Sequence, residues 1–234
     1  MKKDLERLFS EVSDNYELVN HVLTFGLDIY WRRKAAREAA KAGGSLWLDV
    51  CSGTGEMAQY LSRQADKQVR IVSADFCLPM MSKALEKFSA TQILFSLSKA
   101  NALPFPDHTF DLVTISFATR NINPRRDILL DTLREFWRVL RTGGRFVNLE
   151  TSQPSAKLFR KLLHLYARLV VKPVGSFLSG SPAGYAYLSS TIPRFYPPEE
   201  FSLILKQAGF GSVFFRPLLF GVSAIHTAIK ETES

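Results

Sequence analysis

Two carboxylates and two glycines carry the first chemical signal of the chain: Asp49, then Gly53 and Gly55, then Asp75. A Gly-x-Gly turn lets the backbone pass close to a ligand with no Cβ in the way, and a helix opening directly after it aims free N–H groups at that ligand. Gly53, Gly55 and Ala58 satisfy the G-x-G-x-x-G/A spacing that cradles a pyrophosphate. Asp49 argues for a different occupant, because a carboxylate at the end of the preceding strand repels a pyrophosphate and attracts a cation. S-adenosylmethionine, with its sulfonium and ammonium groups, suits such a strand end. Asp75 stands where an acid at the end of the next strand reaches ribose hydroxyls, a position that serves NAD and S-adenosylmethionine equally. A nicotinamide enzyme therefore stays open on these residues alone.

The elements that must position these groups alternate in the βαβ manner. Short β-type runs occur at Leu46 to Val50, Val69 to Asp75, Ile93 to Leu97, Phe110 to Phe117 and Arg145 to Glu150. Helical patterns fill the gaps at Glu56 to Ala65, Pro79 to Phe88 and Arg125 to Leu140, the last expected to stop at Arg141-Thr142-Gly143-Gly144. A helix over Pro197 to Ala208 precedes two further β-type runs, Ser212 to Leu219 and Gly221 to Ile229, joined tightly enough for an antiparallel hairpin. A parallel sheet closed by such a hairpin is the α/β, Rossmann-like plan of the class I S-adenosylmethionine-dependent methyltransferases, with a seven-stranded sheet. At 234 residues and 46% hydrophobic, the chain is expected to form one domain over 1–234. Its parts are a helical cap (1–44), a cofactor-binding core (45–153), a helical insertion or lid (154–196) and a C-terminal helix and hairpin (197–234).

Thirty Lys and Arg against 22 Asp and Glu give a net charge of +8, which favours an anionic partner such as nucleic acid or an acidic membrane surface. Two cysteines, Cys51 and Cys77, make neither a disulfide framework nor a metal cluster, and no metal is expected. The segment Met1 to Arg7 has no apolar signal-peptide core, and no apolar run nears the ~20 residues that span a bilayer. The expected location is the cytoplasm, with a peripheral membrane contact left open.

The chain resembles the ubiquinone/menaquinone-biosynthesis C-methyltransferases of the UbiE type, over nearly its whole length. The matching stretches include Tyr16 to Asn20, Phe25-Gly26-Leu27, Trp31-Arg32, Leu48-Asp49-Val50 with Gly53-Thr54-Gly55, and Ala102 to Asp107. They continue through Ser116-Phe117 with Arg120-Asn121, Glu135 to Leu140, Tyr185 to Leu188 and Ala208-Gly209-Phe210. The Tyr16, Phe117 to Asn121 and Tyr185 to Leu188 segments are the specific ones; the Leu-Pro-Phe-Pro-Asp and Arg-Val-Leu blocks recur in many methyltransferases.

The resemblance implies transfer of a methyl group from S-adenosylmethionine to a ring carbon of a polyprenylated quinol, with demethylmenaquinol to menaquinol as the expected reaction. A ring carbon becomes nucleophilic when an adjacent hydroxyl ionises, so the family pattern makes Arg120 the candidate stabiliser of a phenolate. Asn121 is the candidate for orienting a second ring oxygen or a water, and Tyr16 for closing the site from the cap. Against these roles stand the plain alternatives that Arg120 pairs with a carboxylate and Tyr16 packs in a core. For the cofactor, the pattern points to Asp49, Gly53, Thr54, Gly55, Asp75, Lys99, Ala100 and Ser116. Lys99 departs from the family's usual Asp or Asn: an ammonium cannot accept from an adenine amino group, so its side chain is expected in solvent and the Ala100 N–H at the ring.

The insertion reads as a basic amphipathic helix. Leu158, Phe159, Leu162, Leu163, Tyr166, Leu169 and Val170 share one face; Lys157, Arg160, Lys161, His164, Arg168 and Lys172 share the other, until Pro173. Such a helix serves as a lid over the site, as a homodimer face or as a contact with an anionic bilayer. His164 is expected to be solvated. Another small phenol or RNA as methyl acceptor stays open, as does a nicotinamide oxidoreductase, although neither an RNA-stacking face nor hydride-transfer machinery is evident and no nucleic-acid partner is expected.

Overall fold

The computed structural model describes residues 2–88 and 93–232; residues 1, 89–92 and 233–234 of the expected domain lie outside it. Among the described residues seven strands form one sheet: β1 (Leu46–Val50), β2 (Arg70–Asp75), β3 (Ile93–Leu97), β4 (Phe110–Ser116), β5 (Leu140–Thr151), β6 (Val213–Leu218) and β7 (Ser223–Ile229). Their order is β3-β2-β1-β4-β5-β7-β6. The first five run parallel, while β7 pairs antiparallel with β5 and with β6, so the terminal hairpin is present as expected.

The central strands are apolar on both faces because helices cover both. Leu48, Val50, Val113 and Ile115 pack against Leu129, Leu133 and Phe136 of α6 (Arg126–Val139) and Phe201 and Ile204 of α10 (Pro198–Gln207). The alternate residues Trp47, Ile71 and Leu112 pack against Trp31, Ala35 and Ala36 of α3 (Leu27–Ala39) and Met57 and Leu61 of α4 (Glu56–Ser62). A third cluster joins the cap, α1 (Lys2–Val12) and α2 (Tyr16–Leu23), to the insertion: Val12 and Val19 pack with Leu163, Ala167, Val171, Tyr185 and Leu188. Cap and insertion thus share one core. No helix among the described residues is long and apolar enough to cross a membrane.

Most boundaries lie within a few residues of the sequence expectation, and two differ more substantially. The insertion helix does not stop at Pro173: α7 (Lys157–Tyr166) runs through a π-helical turn, Ala167–Val171, into α8 (Lys172–Ser179), which ends at a left-handed Gly180 (φ 70°). Proline is tolerated in the first turn of a helical segment, and the π turn makes the region around Pro173 such a start. Helix α9 (Pro182–Thr191) then packs so closely on α8 that a Cβ on Gly175 would lie 2.0 Å from the Tyr185 ring.

The second difference is at α6, which gives way directly to β5. Leu140 is already extended, and Arg141 to Gly144 belong to the strand, not to a helix terminus. The carbonyls at that helix end are met by Lys230, which is 1% exposed and donates to Trp137 O (2.8 Å), Leu140 O (2.8 Å) and Arg138 O (3.4 Å). Its ammonium also sits 3.7 Å from the centroid of the Trp137 ring. A cation at a helix C-terminus is favoured by the helix dipole, and each buried carbonyl left unmet costs about 1–3 kcal/mol. Lys230→Met is therefore expected to destabilise the protein by about 3 kcal/mol. A denaturant midpoint equal to wild type would show that the lysine is not the cap.

Candidate active site

Strand order reverses between β1 and β4, and open α/β sheets bind ligands in the crevice at the carboxyl ends of such strands. Both strands end in a non-glycine residue held in the left-handed region, Cys51 and Phe117, each at φ 54°. Such conformations cost energy and turn the chain sharply, here opening the space between the two loops. Gly53 donates its N–H to Asp75 Oδ2 (2.8 Å) and Cys77 donates to Asp75 Oδ1 (2.8 Å), so the acid at the end of β2 also fixes the glycine loop.

A cavity opens there. Of the expected site residues, Gly53, Thr54, Asp75, Ser116, Asn121 and Tyr16 line it. The other four residues expected at the donor site, Asp49, Gly55, Lys99 and Ala100, do not line it. Asp49 does not stand beside the cavity: it is fully buried beneath the loop, where Thr114 Oγ1 donates to its Oδ1 (2.8 Å), and burial pushes its pKa up to about 7. Packing alone requires a glycine at Gly55, because a Cβ there would lie 2.7 Å from the Phe88 ring and its φ is 81°. Lys99 and Ala100 are not brought to the cavity wall; Lys99 is exposed, as expected for its side chain, and bridges to Ala102, while Ala100 packs against the core.

A ligand bearing hydroxyl and amino donors and a positive charge fits this cavity. Asn121 Oδ1 on its wall and Asp49 Oδ2 beneath it are buried without a hydrogen-bond partner among the described residues, and Asp75 and Glu56 add carboxyl groups to the wall. Buried acceptors without partners are costly unless a ligand supplies the donors.

A second, larger cavity of about 400 Å³ lies between cap and insertion. Trp31, Phe117, Phe159, Leu163, Tyr166 and Tyr185 contribute to its mostly apolar wall. Its polar end holds Arg120, Tyr16 and Arg32, and the last two also line the first cavity. Arg120 does pair with a carboxylate: its Nη1 donates to Glu150 Oε1 and its backbone N–H to Glu150 Oε2 (3.1 Å), with Glu150 1% exposed. The pair holds the guanidinium at the cavity, so pairing and facing the cavity coexist. Burial raises the Tyr16 phenol above its ordinary value, opposed by the charges of Arg120 and Arg32.

Arg32 was not singled out by the sequence. It is 3% exposed, donates to Asp28 Oδ2 (2.7 Å), approaches Glu56 Oε2 (3.3 Å) and stacks over Phe117 at 4.9 Å. The available signal was the Asp28/Arg32 pair at i,i+4 on one helix face. His164 is also corrected: it is half-buried and within 2.7 Å of Gln153 Oε1, while Gln153 donates to Ile192 O.

The family model described as "ubiE/COQ5 methyltransferase family" matches residues 1–230. The chain is 38% identical to the demethylmenaquinone methyltransferase of Thermus thermophilus, over 94% of this chain and 98% of that protein. It is 36% identical to the ubiquinone/menaquinone biosynthesis C-methyltransferase UbiE of Geobacter sulfurreducens, over 95% of this chain and 87% of that protein. Among solved structures, an S-adenosylmethionine-dependent methyltransferase from Aquifex aeolicus superposes with a TM-score of 0.58 at 20% identity, covering 84% of this chain and 89% of that one. The cyclase SpnF superposes with a TM-score of 0.61 at 18% identity, covering 86% and 81%, so the fold by itself does not name the reaction.

Proposed function

The chain belongs to the ubiE/COQ5 methyltransferase family, and from that premise we propose that it methylates a ring carbon of a polyprenylated quinol, with demethylmenaquinol as the substrate. S-adenosylmethionine is its methyl donor. The observation that carries the reading is the pair of cavities: one edged with the carboxyl groups of Asp75 at a strand end and Glu56 at a helix start, the other mostly apolar with the Arg120 guanidinium on its wall, meeting at Tyr16 and Arg32.

When bound, S-adenosylmethionine supplies an electrophilic methyl group on a sulfonium. In this reading Gly53, Thr54, Asp75 and Ser116 hold it, with Asp75 accepting from the ribose hydroxyls. Arg120 stabilises the phenolate that makes the neighbouring ring carbon nucleophilic; a guanidinium stays charged and so acts as an electrostatic partner, not as a base. Asn121, whose Oδ1 lacks a protein donor, orients the second ring oxygen or a water. The apolar walls exclude water and strengthen the Arg120 interaction.

Asp49 gives this reading a pH signature. Its pKa near 7 in the free protein means that a proton must leave before Asp49, from beneath the loop, presents a negative charge to a cationic ligand. The sign follows: donor affinity is level above that pKa and falls as pH drops below it, approaching tenfold per pH unit. Isothermal titration between pH 5.5 and 8 checks this, and Asp49→Asn is expected to flatten the curve; a wild-type affinity independent of pH would remove Asp49 from the donor site.

The outer edge of the insertion supports contact with an anionic bilayer. Leu158, Leu165, Leu169 and Phe177 are exposed, with Phe25 and Phe220 at the cavity wall 81% and 70% exposed, while Lys157, Lys161, Arg168 and Lys172 are also exposed on the same helical unit. Each basic residue near such a surface contributes about 1 kcal/mol. Co-sedimentation with vesicles is expected to require anionic lipid and to fade with salt; a concentration-dependent dimer with no vesicle binding would assign the face to a second copy instead.

The deciding assay is methyl transfer from labelled S-adenosylmethionine to short-tailed demethylmenaquinol and to the matching methoxy-benzoquinol, each compared with its oxidised quinone. Label on the naphthoquinol ring, and only in the reduced form, is the expected result. Tight donor binding with no label on either quinol would overturn the substrate assignment.

A further inference from the structure

Exchanging a ring hydrogen for a methyl group releases one proton per turnover, while the donor's sulfonium becomes a neutral thioether. Arg120 cannot take that proton. Glu150 is 1% exposed and already accepts from Arg120 N and Nη1 and from Thr151 N and Oγ1.

Beside the wall shared by the two cavities lies another set of groups, of which only Glu56 has been given a part so far, as a carboxyl of the donor-cavity wall. Asp28 accepts from Thr24 Oγ1 (2.6 Å) and Arg32 Nη1 (2.7 Å), and its Oδ2 is 2.8 Å from His21 Nδ1. An ionised carboxylate only accepts, so this contact places the proton of a neutral His21 on Nδ1 and leaves the Nε2 lone pair free. Nε2 faces Glu56 Oε1 at 3.5 Å, and Glu56 lines the donor cavity together with Tyr16 and Arg32. The His21 side chain is 30% exposed, against 9% for Glu56 and 2% for Asp28. The set therefore reaches from the cavity wall to solvent.

We propose that Glu56 and His21 form the exit path for the released proton, with Asp28 fixing the His21 tautomer and Arg32 holding both carboxylates in place. The proposal rests on the reading of the chain as a quinol C-methyltransferase. A proton leaving the quinol through the Tyr16 hydroxyl or a water protonates the Glu56 carboxylate. It then passes to His21 Nε2, giving an imidazolium, and leaves to water from the exposed ring edge, which restores both groups. Burial raises the Glu56 carboxyl above its ordinary value, against the lowering charge of Arg32 and with the raising charges of Glu17 and Asp28; Glu17 is itself held by Lys87 (2.7 Å). A carboxyl so poised takes and gives up a proton readily. The three potential ligand atoms of His21, Asp28 and Glu56 lie within 4.8 Å of one another, which also suits a metal ion, but the Arg32 guanidinium between the two carboxylates opposes a cation and not a relayed proton.

The test is single-turnover methyl transfer to the reduced short-tailed quinol with wild type, His21→Ala and Glu56→Gln, alongside donor binding by calorimetry. His21→Ala is expected to slow turnover about 10²-fold, to leave donor affinity within about threefold, and to recover when imidazole is added to the buffer. Glu56→Gln is expected to slow turnover comparably without imidazole rescue, because its amide cannot pass on a proton. A His21→Ala protein that turns over like wild type, or one whose loss imidazole does not restore, overturns the relay. Absence of label with the wild-type enzyme overturns the underlying quinol reading instead, so the two failures are distinct.

Discussion

Replacing Arg120 by methionine is expected to lower turnover by about 10²–10³-fold while leaving S-adenosylmethionine affinity near its wild-type value, the range seen when one fixed donor is removed from a developing oxyanion. Methionine keeps the apolar length of the side chain and removes the charge. It also strands Glu150, which is 1% exposed and whose pairing with Arg120 is one of its principal contacts. An unpaired buried carboxylate of this kind costs about 3–5 kcal/mol, so the single variant will be less stable as well as slow. The double variant Arg120→Met with Glu150→Gln separates the two effects: its melting temperature is expected to recover towards wild type, while its turnover stays low. If turnover returned together with stability, Arg120 would be a structural partner of Glu150 and nothing more.

Asp75→Ala is expected to show the opposite profile, with donor affinity reduced about 10²–10³-fold and turnover at saturating donor largely retained. Hydrogen bonds to a charged group contribute about 1.5–3 kcal/mol each, and two to a ribose diol at the lower end of that scale, about 3–4 kcal/mol together, give that loss. The carboxylate also accepts from Gly53 and Cys77, so part of the loss comes from a glycine loop no longer held in its left-handed turn. Asp75→Asn distinguishes the contributions, since an amide keeps an acceptor for one N–H and loses the charge. Equal losses of binding and of turnover in both the Asp75 and Arg120 variants would dissolve the division between donor site and acceptor site.

The architecture was legible because its signals are local. The runs Leu46 to Val50 and Ile93 to Leu97 are apolar and bounded by polar turns, and they became β1 and β3 with those limits. The glycine loop and Asp75 follow a spacing set by strand length and by reach to a ligand. What local patterns did not record depends on contacts distant in sequence. Gly55 has a packing role that appears only when α5 (Leu78–Phe88) places Phe88 against it. Arg141 to Gly144 look like a helix end until β5 is extended towards β4 and Lys230 arrives to cap the carbonyls of α6. Asp49 is a strand residue whose side chain turns inward to Thr114, a direction no local pattern records.

The candidate site divides in the same way. Tyr16, Arg120 and Asn121 stood out through family-specific segments, and the structure places all three at the two cavities. Arg32, His21 and Glu56 did not, since each is an ordinary polar residue of an amphipathic helix until three helices bring them together. Lys99 and Ala100 were placed by analogy at a position where this chain departs from the pattern, and the cavity wall does not include them.

The aromatic mouth of the larger cavity has a consequence for specificity. On the proposed function, the cavity of about 400 Å³ takes the quinol ring and the start of its prenyl chain, and the exposed Phe25 and Phe220 stand at the threshold where the rest of the chain would leave it. An enzyme that encloses only the head cannot measure the tail. On the quinol reading, a tail of any length then emerges past the same threshold, and the methylating step is indifferent to it.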